Sequence, residues 1–136
     1  MGTLIYIDTN IYLDYLKKRT NKDGKDLSES AWNIFIRSVM CEFDILISDI
    51  VVKELHNNIS PEETKTLFVM LKLKLKKVES TKNELNKALE IDNDNTYDIL
   101  HAILANRCGA RYLVTRNISD YRKARHLIIP ILPELL

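Results

Sequence analysis

Neither sign of charge is in excess in this chain: 20 Lys and Arg stand against 19 Asp and Glu, a formal net charge of +1. That balance excludes a disordered polyelectrolyte and tight, non-specific nucleic-acid binding driven by bulk charge. It leaves room for a local basic rim around an acidic site. Cysteine is scarce as well. Cys41 and Cys108 stand without a CxxC pair or a histidine at metal spacing, and are expected to be reduced and partly buried, as suits a cytoplasmic chain. Long hydrophobic runs are missing too. The most apolar stretch, residues 127–136, is broken by Pro130 and Pro133 and is too short to span a bilayer. Only seven residues precede Asp8, too few for a signal peptide. Met1-Gly2 opens like a myristoylation site, but Tyr6 stands where Ser or Thr is required. A soluble, intracellular protein is the expectation.

What is present is a hydrophobic fraction of 46% in 136 residues, enough for one domain over residues 1–136 with a proper core. The chain is organised around Ile5-Tyr6-Ile7-Asp8-Thr9-Asn10. Residues 4–7 are continuously apolar, which predicts a strand buried on both faces. The carboxylate, hydroxyl and amide then fall where the strand leaves the sheet, and a helix follows. Ligands of open parallel sheets gather at the carboxyl ends of strands. Asp8 is therefore placed to hold a cation or polarise a phosphate, or Asp8 or Thr9 simply caps the helix.

Residues 17–25 are polar and basic and read as solvated surface loop. Ser28 or Ser30 is expected to cap a second helix running to about Val39, with Trp32, Phe35, Ile36 and Val39 facing the core. Residues 43–47 form a second strand, and Ser48-Asp49 cap the helix that carries Glu54. Ser60 and Pro61 open the next helix, with Glu62 and Glu63 in its electropositive first turn. Leucines and lysines alternate through 71–76, a pattern that fits helix or strand; the reading is a helix to about Lys74 and an extended connection to Val78. Residues 81–90 are helical with Leu85, Ala88 and Leu89 inward, and Asp92-Asn93-Asp94-Asn95 is turn chemistry. A helix over 96–108 ends at Gly109 as a left-handed C-cap and puts Asp98, Ala102 and Ala105 on one face. Asp98 lies in the first turn, where the helix dipole favours its ionised form. Residues 112–114 and 127–129 are the remaining strands, separated by a short helix over 118–124 that carries Asp120. Strands alternating with helices predict a three-layer α/β/α sandwich around a mostly parallel sheet.

Four acids thus occupy comparable places: Asp8 after a strand, Glu54 in the helix after a strand, Asp98 at a helix start, and Asp120 after the Thr115-Arg116-Asn117 turn. Facing one cleft, their like charges would raise one another's pKa and destabilise the fold. A hard divalent cation, Mg²⁺ or Mn²⁺, resolves that conflict, because it prefers oxygen ligands and turns bound water into a nucleophile beside a phosphodiester.

With these motifs in order, the chain resembles a PIN domain, the ribonuclease fold of VapC-type toxins and related RNA-processing nucleases. The matching stretches are Ile5-Tyr6-Ile7-Asp8-Thr9-Asn10, Val51-Val52-Lys53-Glu54-Leu55, Tyr97-Asp98-Ile99-Leu100-His101-Ala102-Ile103-Leu104-Ala105 and Leu113-Val114-Thr115-Arg116-Asn117-Ile118-Ser119-Asp120-Tyr121, with Ile131-Leu132-Pro133-Glu134-Leu135-Leu136 as the ending. The resemblance implies Asp8, Glu54, Asp98 and Asp120 as a catalytic and metal-holding quartet for Mg²⁺- or Mn²⁺-dependent hydrolysis of RNA phosphodiesters. Asp8 and Asp98 would be direct ligands, Glu54 would orient or activate the attacking water, and Asp120 would act directly or through water. Asn10, Thr115 and, more weakly, Asn117 would orient carboxylates or water from behind. Toxin-type relatives imply a homodimer and an antitoxin protein that silences the site.

Arg116, Arg122, Lys123 and Arg125 cluster near the acids in sequence and are candidates for RNA phosphates, or else line an exposed helix. His56, His101 and His126 lack metal spacing and read as structural or surface residues. The lysine-rich stretch 61–95 matches no motif and leaves substrate preference open. Two rival readings remain. A haloacid-dehalogenase-like phosphohydrolase would want a second Asp two residues after Asp8, where Asn10 stands. A catalytically idle PIN-like binding or scaffold module in RNA processing has no electrostatic reason to keep four acids together.

Overall fold

Five short strands, β1 (Thr3–Ile7), β2 (Phe43–Ser48), β3 (Leu75–Val78), β4 (Tyr112–Val114) and β5 (Ile129–Ile131), form one sheet in the computed structural model, which describes residues 2–136. Met1, where the acylation motif begins, lies outside them. The strand order is β3-β2-β1-β4-β5 and every pairing is parallel. Six α-helices surround the sheet: α1 (Thr9–Leu16), α2 (Ser28–Val39), α3 (Asp49–Asn58), α4 (Pro61–Leu71), α5 (Lys82–Ile91) and α6 (Thr96–Arg107). The expected three-layer α/β/α architecture is the observed one.

Its cause is visible in the strands. Ile5, Tyr6 and Ile7 of β1 and Ile45, Leu46 and Ile47 of β2 are all buried, so both faces of the sheet need cover. Helices α1, α2 and α4 pack together, with α3 against α1 and β2, while α6 lies across β1, β2 and β4 and carries α5 outside it. Ala102 and Ala105 are fully buried, which lets α6 approach the strands closely. Ser48, Ser60 and Thr81 cap α3, α4 and α5 with their hydroxyls, the last two in reciprocal capping boxes with Glu63 and Glu84.

The winding of the chain locates the functional end. From β1 it proceeds outward to β2 and β3, then returns past β1 to β4 and β5 on the other side. The direction of winding reverses between β1 and β4, the crevice where such sheets bind ligands. Ile7 pairs with Val114 at the ends of these two strands, and the Asp8 amide continues the ladder to the Val114 carbonyl at 3.0 Å. Asp8 and Thr115 are the next residues of the two strands.

Several local expectations are corrected. The connection before Val78 is a strand, because Ile45 to Ser48 of β2 offer a free edge that residues 75–78 complete. The last strand is residues 129–131 rather than 127–129; Pro130 is tolerated because β5 is an edge strand paired only with β4. Neither Ser28 nor Ser30 caps α2. Ser28 is its first residue, and its amide and hydroxyl both donate to Asp26 Oδ1, at 2.8 and 2.6 Å. The buried face of α2 is Ala31, Ile34, Phe35 and Ser38, one position away from the expected stripe, so Val39 is exposed while Trp32 stacks at the rim on Tyr15. Leu89 is likewise exposed, and Cys41 is exposed rather than partly buried. Residues 118–124 are helical but of the tighter 3-10 kind. No helix among the described residues is long and apolar enough to cross a membrane.

Tyr12 is the one buried side-chain polar atom without a hydrogen-bond partner among the described residues, its ring stacked on Phe35. An unpartnered buried hydroxyl costs about 1–3 kcal/mol, so Tyr12→Phe is expected to stabilise the protein by about 1 kcal/mol in urea unfolding. A loss of stability would show that the hydroxyl has a partner.

Candidate active site

Asp8 is almost fully buried, at 3% exposure, yet no cationic side chain pairs with it among the described residues. Neutral donors hold it instead. Its extended backbone makes it the N-cap of α1, and the Asn10 amide donates to Oδ1 at 3.4 Å. Thr115 Oγ1 donates to Oδ2 at 2.8 Å and itself accepts the Asn117 amide at 3.0 Å. Capping and site formation are thus one arrangement: the helix N-terminus and a hydroxyl just beyond β4 orient a carboxylate that lies in the crevice.

Asp98 enters from the first turn of α6, and the buried Tyr121 hydroxyl lies 3.5 Å from its Oδ1. Here the helix dipole does not prevail. Burial comes first, and the charges of Asp8, Asp120 and Glu54 add to it, so that the Asp98 carboxyl is pushed up to about 6 despite the opposing His101. Asp8 also acts on Tyr121, whose hydroxyl is raised well above its ordinary value, by burial first and by Asp8 and Asp98 next. Asp120 stands on the 3-10 segment Ile118–Ala124, its backbone amide bonded to Asn117 and its carboxylate partly exposed.

Glu54 is half-buried on α3. Thr9 Oγ1 and His101 Nε2 both lie 2.8 Å from its Oε1. Burial raises its carboxyl, but the bonds from His101 and Thr9 and the His101 charge outweigh this, and the net shift is downward. His101 mirrors it. Complete burial lowers the imidazole, while the Glu54 bond and the charges of Asp8, Glu54 and Asp98 raise it further, leaving the ring more basic than usual.

The four acids therefore share one electrostatic field. They do not form a closed cage: among the described residues no three His, Cys, Asp or Glu side chains are grouped to hold a single ion. Of the supporting residues, Thr115 touches Asp8 directly, whereas the Asn10 amide oxygen accepts from Arg19 at 3.3 Å and Asn117 contributes only its backbone. Arg116 is not free for a ligand. Its guanidinium donates to Asp14 at 3.0 Å, to Ser30 at 2.6 Å, to the Leu27 carbonyl and to Glu134. Arg122 and Lys123 are exposed, with Lys123 Nζ 3.8 Å from Asp92. A depression of about 300 Å³ touches Asp98 and the 93–97 turn, and a groove of about 760 Å³ between α3, α4 and β3 includes none of the four acids.

Reading the sequence missed Thr9, His101, Tyr6 and Tyr121 as contributors. For His101 a signal existed, since it lies one turn beyond Asp98 on the same face of α6. For Thr9 and Tyr6 there was none, because the contacts join elements far apart in the chain.

No family profile and no curated protein matches the chain. Among solved structures it is similar to a chain of VapBC2 from Rickettsia felis bound to a DNA fragment from their promoter, with 21% identity, a TM-score of 0.60, and coverage of 93% of this chain and 97% of that one. At that identity the likeness speaks to fold: this chain has a VapC-like PIN fold over nearly its whole length.

The raised Asp98 carboxyl has a calculable consequence. Below about pH 3 the group is protonated folded and unfolded, and exacts no cost. As pH rises from its ordinary value of 3.8 through about 6, the unfolded chain ionises first and the folded state loses stability. Asp98→Asn is therefore expected to stabilise the metal-free protein above pH 6 by about 1–2 kcal/mol, after discounting for solvent screening of a partly exposed group, and to make no difference near pH 3. Thermal melts across pH 3–8 read this; an equal gain at both ends would show that charge is not the cause.

Proposed function

We propose that this chain is a divalent-metal-dependent ribonuclease, one PIN-like domain that hydrolyses RNA phosphodiester bonds and serves as the toxin of a toxin–antitoxin pair. The observation that carries this reading is the Asp98 carboxyl, held near 6 by burial and by the negative charge of Asp8, Asp120 and Glu54, with no cationic side chain paired to Asp8, Asp98 or Asp120 among the described residues. A fold gains nothing in stability from that arrangement, whereas a site for a hard cation requires it. The donor set fits Mg²⁺ or Mn²⁺: all oxygen, all anionic, and open. Mg²⁺ keeps most of its waters and takes one or two carboxylates, so the lack of a three-ligand cluster is compatible with it.

Asp8 and Asp98 are the proposed direct ligands, with Asp120 reaching the ion directly or through water and Glu54 reaching it through the attacking water. When bound, the cation would shield the phosphodiester charge and make water a better nucleophile. The protein's own part is orientation. Thr115 fixes Asp8 in the crevice. Glu54, kept ionised by its bonds, accepts a hydrogen bond from the attacking water and draws off its proton. Asn10 and, more weakly, Asn117 are the proposed supports for water beside these carboxylates. Arg122 and Lys123 are the proposed contacts for RNA phosphates; the Arg116 network leaves that residue to hold α2 and the C-terminus instead.

The partners follow from the same likeness. A solved structure the chain resembles is VapBC2 bound to a DNA fragment from their promoter, which supports the proposal of an antitoxin partner for this chain; a homodimer in the cytoplasm is proposed with it. The alternative, an idle PIN-like binding or scaffold module, draws on the absence of a closed ligand cage among the described residues.

One experiment separates them. Wild type and Asp8→Asn are incubated with a mixed pool of structured and single-stranded RNAs in Mg²⁺, Mn²⁺ or EDTA. Cleavage that needs metal, and falls at least about a hundredfold in the variant, is the expected result. Melting adds a readout independent of substrate: Mn²⁺ at about a hundred times its Kd stabilises wild type by about 2.7 kcal/mol and leaves Asp8→Asn unmoved. Neither cleavage nor a metal shift would leave the binding-module reading standing.

A further inference from the structure

Glu54 is held by one oxygen only. Thr9 Oγ1 and His101 Nε2 both meet Oε1, each at 2.8 Å, and no donor among the described residues reaches Oε2. The two donors come from different elements, Thr9 from the start of α1 and His101 from the middle of α6. Together they fix the carboxylate plane and leave Oε2 without a protein partner.

His101 is itself fixed from behind. Its Nδ1 bonds the Tyr6 hydroxyl, that hydroxyl lies 2.6 Å from Ser48 Oγ, and Ser48 Oγ accepts the Val51 amide at 3.1 Å. A carboxylate only accepts, so Nε2 carries a hydrogen; in the neutral ring Nδ1 then accepts from Tyr6, and Tyr6 accepts from Ser48. In that state each hydroxyl donates once and accepts once. Ser48 caps α3, the helix that bears Glu54, so the chain of bonds leaves α3 at its cap, crosses β1 and α6, and returns to the same helix. Its Ser48, Tyr6 and His101 members are buried, where an unfinished polar network is costly and a finished one is stiff.

We infer that Thr9 and His101 are positioning residues that pin Glu54 by Oε1 and so present Oε2 alone to the water or cation in the crevice. The role rests on the nuclease reading, and it assigns work to a histidine and a threonine that touch neither substrate nor metal. Groups that orient a ligating or water-activating carboxylate are worth about 10–100-fold in metal affinity or rate.

The test compares four variants of the full chain: His101→Leu and Thr9→Val, which remove the donor, and His101→Gln and Thr9→Ser, which restore one. For each, kcat and KM on an RNA that wild type cleaves, Mn²⁺ affinity by calorimetry, and Tm are measured. The expected pattern is a kcat loss of about 10–100-fold in the Leu and Val variants with KM within about twofold, and recovery of most of that loss in Gln and Ser. Rates should follow the presence of a donor, not the order of Tm values. A kcat in folded His101→Leu equal to wild type, or a loss no smaller in His101→Gln at equal Tm, would overturn the inference. If wild type cleaves no RNA, the nuclease reading fails separately, and Mn²⁺ affinity still decides: a fall of about tenfold in His101→Leu that His101→Gln reverses supports pinning of Glu54, and equal affinity in all four variants refutes it.

Discussion

A carboxylate withdrawn from water has to be compensated, and everything at the carboxyl end of this sheet follows from how Asp8 meets that demand. It is buried at 3% exposure with no cationic side chain paired to it among the described residues. Compensation comes from a helix N-terminus and the Thr115 hydroxyl, dipoles that stabilise charge without neutralising it. The carboxylate is therefore held in one orientation, and its field reaches its neighbours. Asp98 registers that field as a carboxyl raised to about 6, after the effect of its own burial. Parallel strands make the arrangement possible: β1 and β4 end side by side, so the residues following them meet.

Asp14 shows the other solution, only six residues away in the chain. It too is buried, but Arg116 and Arg19 pair with it at 3.0 and 3.7 Å. Burial raises its carboxyl first and Arg116 works against the rise. The chain thus places Arg19 and Arg116 on Asp14 and Glu134, while among the described residues Asp8, Asp98 and Asp120 go without a cationic partner. A stability-only design would distribute them more evenly. Local departures of this kind, tolerated in an otherwise consistent fold, are where function is found.

The middle of the chain, which carries no recognisable motif, has a plain architectural task. Residues 61–91 supply α4, edge strand β3 and α5. The leucine–lysine alternation that looked ambiguous is resolved by position: Leu71 is buried at the end of α4, Val78 is buried at the end of β3, and Lys76 and Lys77 are exposed on an edge strand, where charge discourages pairing with other chains. Its turn into β3 passes through a 3-10 segment at Lys72–Lys74, which leaves Leu73 exposed.

The amino-acid sequence by itself determined the alternation of strands and helices, the caps at Ser48 and Ser60, and the placement of Asp8 at a strand-to-helix junction. These depend on periodicity and on groups a few residues apart. It was less informative where neighbours compete: the face of α2, the register of β5 and the role of residues 75–78 were settled by what lay alongside. The acids were legible as candidates because each sits at an element boundary. Their electrostatics were not. Helix position alone suggested an easily ionised Asp98, and only the tertiary structure brought burial, Asp8 and Asp120 against it and reversed the sign. The Ser48–Tyr6–His101–Glu54 chain and the Thr9 contact likewise join residues up to 95 apart. Pairwise forces among side chains depend on distance in space, and that distance is decided by packing.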